Sequence, residues 1–460
     1  MNLTLNATKI CEKVTTYMEE KQLPYDGLVG LGTDGAAVMV GKNGGAVKKI
    51  VEIQTEKQND KENGKVKAVG QHCTAHKLNL AASQSGNSFP TIVRFKKTLS
   101  KLHDFYSRSA LRSKGLETVQ KLIFDSLDDG SGSTGEANGT GCGRVQDPSS
   151  TRWLALGKCA IGLKKILASV LISLGRESGE RGDVVATGLH TLMTRTEFLA
   201  VLLLMCNVLP TVNRLSCTFQ TEAFDSGQVS KSVDATIRAL EVKKEKPSFD
   251  AEYQTLVENL KKNNISLNNN DEEAFLRRFD STVRKPFITK LQENLTDRFQ
   301  NNDIMAAFAT VTETSNYVPE KEEELLRAGA ILSEQFGLDN ESTQAEIADV
   351  AHYVEVMDSN KDQGMVEILM GNSSMVAMFP NLAKICKIYR TIPPHTADCE
   401  RDFSRMKLIK SELRNRMKED TLDCLLRIAI SGPEPHEFPY IDAVKLWASK
   451  KERRYKVRLV

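Results

Sequence analysis

Residues 393–404 read Pro393-Pro394-His395-Thr396-Ala397-Asp398-Cys399-Glu400-Arg401-Asp402-Phe403-Ser404. The two prolines end the preceding structure. Thr396 can cap a new helix, with Asp398 in the first turn, where the helix dipole favours negative charge. The helical spacing then predicts one apolar stripe, formed by Cys399, Phe403, Met406, Leu413 and Met417. Glu400 lies about 100° from this stripe. At the edge of a buried face its carboxylate can bind a metal; the alternative is a solvated acid on an amphipathic helix.

Three earlier segments add to this pattern. Residues 27–45 contain a short apolar strand that runs to Asp34 and is followed by a glycine turn. Cys73-Thr-Ala-His76 and then Ser150-Thr-Arg152-Trp153 come next along the chain. In this order the segments resemble those of the hAT superfamily of DNA transposases. The block around Glu400 resembles the family's dimerisation segment, in which Glu-Arg-x-Phe-Ser precedes an Arg-Asn-Arg stretch.

The resemblance implies an RNase H-like fold and two-metal catalysis, in which three carboxylates hold two Mg²⁺ or Mn²⁺ ions. Asp34 matches the second carboxylate and Glu400 the third, so these two are the predicted catalytic and metal-binding residues. The first carboxylate has no match. Three preceding strands need roughly 40 residues, but about 27 precede the Asp34 strand. Asp26 lies at the base of that same strand and cannot replace a residue on a neighbouring one.

With two of three ligands, we expect that the chain as it stands does not cut DNA. Two explanations stay open. The chain is either a carboxyl-terminal piece of an active transposase or a transposase-derived protein that has lost catalysis. A third hypothesis is a protein-interaction scaffold with no role in nucleic-acid binding.

Several residues are candidates for contact with DNA. The resemblance implies that His76 orients a carboxylate or a phosphate and that Trp153, after Arg152, stacks on an unpaired base. Trp153 can instead anchor a helix to the core. Zinc at Cys73 and His76 is not expected, because a second ligand pair is absent at finger spacing. The helix after residue 400 is basic and can contact phosphates or form a solvated face; its candidate residues are Arg401, Arg405 and Lys407.

Composition predicts an ordinary soluble protein, with 40% apolar and 27% charged residues. A net charge of +2 gives no overall attraction to nucleic acid. Nine scattered cysteines fit a reducing compartment. We expect a nuclear protein. We expect no membrane segment, because the most apolar run, 198–212, is too short to span a bilayer and predicts a buried helix.

The predicted fold class is mixed α/β and predominantly helical, with an RNase H-like core interrupted by a large all-α insertion. We divide the chain into five parts: the first part of the core (1–127), a loop (128–150), the insertion (151–345), the rest of the core with the dimerisation segment (346–432) and a basic tail (433–460). Strands are expected up to Asp34 and over 66–73. Helices are expected at 6–22, 44–56, 90–103, 109–127, 152–174, 183–220, 229–242, 249–263, 271–300, 303–313 and 320–336.

The resemblance also implies a homodimer. The region 365–430 has more apolar helical surface than one small core needs, although these helices can instead flank the sheet within one chain. The apolar residues are Val366, Ile368, Leu369, Leu382, Ile385, Ile388, Leu422, Leu425, Leu426 and Ile428.

Overall fold

The computed structural model describes residues 6–41, 44–58, 65–127, 143–148, 155–221, 227–245, 249–268, 272–300, 303–357, 364–434 and 436–450. Over these residues the chain is predominantly helical, with one two-stranded parallel sheet. This confirms the mostly helical fold class; the RNase H-like arrangement stays a prediction. Two compact units are present, Met1–His395 and Thr396–Val460.

The parallel sheet pairs β1 (Gly30–Thr33) with β2 (Val69–His72). The helices α1 (Ala7–Glu20), α2 (Ala37–Val40) and α3 (Ala46–Glu56) precede β2. Gln54 of α3 is fully buried and links the starts of both strands. Its side-chain amide donates to the carbonyl of Leu28 at 2.7 Å, and its Oε1 accepts from the Ala68 amide at 2.9 Å. The strand that runs to Asp34 and the second strand are therefore where the sequence predicts them.

A first hydrophobic core is built by ten helices. The longest apolar helix, Thr196–Thr218, would suit a membrane span by length and composition, but 72% of its most apolar window is buried inside the protein. The predicted buried helix is thus confirmed. The ten helices are α4 (Thr74–Asn87), α5 (Pro90–Ser107), α6 (Ala110–Leu127), α7 (Ala155–Arg181), α8 (Val184–Met193), α9 (Thr196–Thr218), α10 (Gly227–Glu245), α11 (Phe249–Lys262), α12 (Glu272–Phe279) and α13 (Lys285–Arg298).

A second core joins the sheet to later helices. Val66 and Val69 pack there with Phe336, and the Lys67 amide donates to the Gln335 carbonyl at 2.9 Å. Part of the apolar surface predicted for dimerisation, from Val366 to Ile388, is buried in this core, because these helices pack within one chain. The helices are α14 (Asp303–Thr312), α15 (Glu322–Phe336), α16 (Asn340–Met357), α17 (Met365–Met370), α18 (Ser373–Met378) and α19 (Pro380–Thr391).

The Thr396–Val460 unit contains α20 (Ala397–Ile409), α21 (Glu419–Ser431) and α22 (Tyr440–Ser449). The helix α20 begins directly after Thr396, as predicted. The prediction of a buried apolar stripe was wrong. Among the described residues of this unit only Ala397 is buried, and Leu413 lies beyond the end of α20. Helical periodicity identifies which residues share a face but not what covers that face.

Candidate functional site

Asp34 lies directly after β1, at the carboxyl end of the parallel pair. Its Oδ1 accepts a hydrogen bond from the Ala36 amide at 2.9 Å, which closes the turn, and its side chain is exposed. Gly35 has a φ of +76°, a left-handed conformation that glycine adopts at no steric cost. A carboxylate oxygen is a ligand type that a hard cation such as Mg²⁺ prefers, and the role of Asp34 as metal ligand stays a prediction.

His72, the last residue of β2, covers this turn. A β-carbon added to Gly35 would lie 2.2 Å from Cε1 of His72, so the ring occupies that space. Nε2 of His72 is buried and has no hydrogen-bond partner among the described residues. Burial lowers the pKa of His72 to about 4, with further lowering from nearby positive charge, while a hydrogen bond to the Asp34 backbone opposes the shift. His72 is therefore neutral at pH 7.

Cys73 and His76 stand at the start of α4. Cys73 is buried, and its amide donates to the Thr33 carbonyl at 2.8 Å, continuing the strand pairing. His76 is half-buried, and its ring lies 5.5 Å from the His72 ring. Among the described residues, no three His, Cys, Asp or Glu side chains are grouped closely enough to hold a metal ion. The role of His76 beside a carboxylate or a phosphate stays a prediction.

Two further cations at this end of the sheet were not predicted from the sequence. Lys77 follows His76 in the first turn of α4, and Arg298 lies at the end of α13. Both are half-buried. Burial lowers the pKa of Lys77, and the adjacent positive charge of Arg298 lowers it further. A lysine in the first turn of a helix with no acidic residue was the available signal.

In the Thr396–Val460 unit, Glu400 is half-buried, and its amide donates to the Thr396 carbonyl at 3.1 Å. The predicted DNA contacts nearby are partly neutralised. Arg401 pairs with Asp398 one turn earlier, and Arg405 lies 3.8 Å from Asp402. Lys407 is exposed. Arg152 and Trp153 lie outside the described residues.

The same unit exposes large apolar side chains. Leu413 is 97% exposed and Leu408 is 81% exposed. The helix α21 adds Ile428 and Ile430, which are also exposed, beside the half-buried Leu422, Leu425 and Leu426. This is an unusual density of exposed aliphatic residues for a free surface, and it is typical of a surface that another protein covers.

Comparison with known families gives a match in this part of the chain. Residues 354–429 match the model of the hAT family C-terminal dimerisation region. The matched residues begin near the end of α16 and run into α21, and so contain Glu400 and the exposed Leu408, Leu413 and Ile428. Over these residues the chain is accordingly similar to the dimerisation region found at the C-terminus of hAT family proteins.

Proposed function

We propose that this transposase-derived protein forms a homodimer through its Thr396–Val460 unit, binds DNA in the nucleus and does not cut it. The observation that carries the proposal is that exposed aliphatic residues fall inside a matched dimerisation region. Removing apolar surface from water contributes about 25 cal/mol per Å². A second copy of the same surface is the partner that this family region favours, and twofold dimers are the commonest closed assembly.

The first test is the oligomeric state of the purified chain. We expect a dimer at micromolar concentration by light scattering, because the exposed aliphatic surface is then covered. The variants Leu408→Asp and Leu413→Asp place charges in that surface and should shift the protein to monomer. Leu111→Asp is the matched control: Leu111 is 64% exposed on α6, outside the matched region, and its substitution should leave the dimer intact. A monomeric wild type contradicts the proposal.

DNA binding is a separate part of the proposal and has its own measurement. It is supported by the family match and by the partly buried cations beside the carboxyl end of the sheet. Fluorescence anisotropy with duplex and hairpin DNA at low salt should give saturable binding that weakens as salt increases. A wild-type dimer that binds neither DNA at low salt would favour the interaction scaffold instead.

Phosphoryl transfer is the second candidate, and the position of Asp34 at the carboxyl end of β1 favours it. A bound pair of Mg²⁺ or Mn²⁺ ions would activate the attacking oxygen and stabilise the leaving one. The contribution of this chain would be Asp34 and Glu400 as ligands. Cleavage or joining of DNA with either cation, abolished in Asp34→Ala, would establish this function; an inactive wild type supports the non-catalytic proposal.

A further inference from the structure

Lys77 occupies an electrostatically unfavourable position. It lies in the first turn of α4, where the dipole of the helix disfavours a positive charge. No acidic residue is present in that turn. Burial removes part of the hydration of its ammonium group, and Arg298 adds a second positive charge nearby. An anion in contact with Lys77 would relieve all three effects.

The surroundings of both cations keep them in place. The Lys77 ammonium lies 5.8 Å from the centre of the Phe299 ring, a cation–π contact. Nη2 of Arg298 donates to Oε1 of Gln84 on α4 at 2.8 Å. Beneath them α4 and α13 are joined by a buried hydrogen bond of 2.7 Å from Asn294 to Ser85. The two cations therefore sit on a packed helix pair rather than on a loop.

Neither cation is neutralised by the part of the chain that the structure describes. Lys77 and Arg298 form no ion pair with a described carboxylate, in contrast to Arg94, Arg112 and Arg284 on the same helical core. Arg298 also lowers the pKa of His72, so its charge reaches the carboxyl end of β2. Among the described residues, the positive charges of Lys77 and Arg298 thus have no carboxylate partner, and both act on the residues at this end of the sheet.

We propose that Lys77 and Arg298 together hold a phosphate group of a DNA strand. This inference rests on the proposed DNA binding and assigns it a location. A phosphodiester offers only hydrogen-bond acceptors, which match the ammonium of Lys77 and the guanidinium N–H groups of Arg298 that Gln84 does not occupy. Contacts of this kind fix the register of a strand and carry no sequence information.

The experiment compares the salt dependence of DNA binding between wild type and the double variant Lys77→Gln/Arg298→Gln. The slope of log K against log salt should fall in magnitude by about one, because the variant no longer neutralises the phosphate that the two cations hold together. The control double variant Lys101→Gln/Lys114→Gln removes two exposed lysines from α5 and α6 and should keep the wild-type slope. Thermal melting without DNA is the second measurement. The Lys77→Gln/Arg298→Gln variant should melt close to wild type, because the removal of like-charge repulsion offsets the lost contacts of Lys77 with Phe299 and of Arg298 with Gln84.

The outcomes separate the two proposals. A wild type that does not bind DNA at low salt contradicts both the proposed DNA binding and the phosphate site. If the wild type binds and the Lys77→Gln/Arg298→Gln variant keeps its affinity and slope, only the phosphate site is wrong. A lower melting temperature of that variant without DNA would show that the pair stabilises the fold. An equal decrease of the salt slope in both double variants would show that the loss of any two positive charges has this effect. Either result overturns the assignment.

Discussion

Gly35 is the residue on which the turn beside Asp34 depends. It combines a φ of +76° with a space already filled by the His72 ring. We expect Gly35→Ala to lower the free energy of unfolding by about 2 kcal/mol, because an alanine in the left-handed region alone costs about 1–2 kcal/mol and its methyl group also displaces the ring. Chemical denaturation measures the change.

The matched control is Gly115→Ala in α6. No atom lies within 4 Å of a β-carbon added there, and the backbone is helical. This variant should gain about 0.5–1 kcal/mol, the helix preference of alanine over glycine. Equal effects in the two variants would contradict the proposed packing of His72 over the turn.

His72 predicts a dependence of stability on pH. Its pKa of about 4 in the folded protein is below the ordinary value of 6.5, because burial disfavours the charged ring and because Lys77, His76 and Arg298 lower the pKa further. Between pH 6.5 and 4 the unfolded chain binds a proton that the native ring does not, so stability falls as the pH decreases through this window. Above pH 6.5 this contribution is constant.

The measurement is the melting temperature at pH 7 and pH 5, in EDTA so that no divalent cation perturbs the turn. His72→Phe keeps a ring over Gly35 but cannot titrate, and its melting temperature should fall less between the two pH values than that of wild type. His436→Gln, at an exposed position in the other unit, should fall as much as wild type. If the melting temperature of His72→Phe fell between pH 7 and pH 5 by as much as that of wild type, the burial of a neutral His72 ring would be refuted.

At the scale of elements, the Arg284 side chain caps the carboxyl end of α10. It lies in the π-helical turn Asp280–Arg284 between α12 and α13 and is buried. Its guanidinium pairs with Asp280 and donates to the carbonyls of Lys243 and Lys244, both at 3.0 Å. Carbonyls in the last turn of a helix lack partners within the helix, so Arg284 completes the hydrogen bonding of α10.

Arg284→Lys should therefore destabilise the protein by about 2 kcal/mol, because an ammonium cannot reach both carbonyls and the carboxylate, and hydrogen bonds from charged groups contribute about 1.5–3 kcal/mol. The control Arg277→Lys changes an arginine whose bond to Glu273 is solvent-exposed, and its effect should stay within about 0.5 kcal/mol. Urea denaturation compares the two. Similar values for both variants would contradict the capping role.

Sequence patterns identified most helices and both strands, and the exceptions have physical causes. The helix α4 was not predicted, because its buried face is built from small residues such as Ala81, Ala82 and Ser85 and so lacks a strong apolar period. The stretch 183–220 was predicted as one helix, but Thr194 and Arg195 separate α8 from α9.

The candidate site was predictable only in its local part. Asp34 and the Cys73–His76 segment follow strands and are visible as motifs. Lys77 and Arg298 come from distant parts of the chain, and only the packing of α4 on α13 brings them together. The apolar residues of 365–430 show a related limit. Their periodicity predicted that other residues cover all of them. The structure buries one group in the second core, whereas Leu422, Leu425 and Leu426 are half-buried and Ile428 is exposed.

For the whole molecule, dimerisation predicts that thermal stability depends on protein concentration. A partner that binds only the native state stabilises it by mass action. The melting temperature of the wild type should rise across a hundredfold increase in concentration, while that of Leu413→Asp should not change. Leu111→Asp should behave as wild type. A wild-type melting temperature that is independent of concentration would contradict coupling between assembly and stability.

The second core brings the two ends of the Met1–His395 unit together, and this has a consequence during synthesis on the ribosome. The Thr74 amide donates to the Pro394 carbonyl at 3.1 Å, and a β-carbon on Gly30 would lie 3.2 Å from Ile392. The sheet emerges early but cannot acquire these neighbours until its distant partners have been translated, a delay on the order of tens of seconds at bacterial or eukaryotic elongation rates. The first core, from Leu78 to Phe299, has all its residues sooner. The two strands of the nascent chain therefore lack their packing partners while the first core is already folding. The chain depends most on chaperones during that interval.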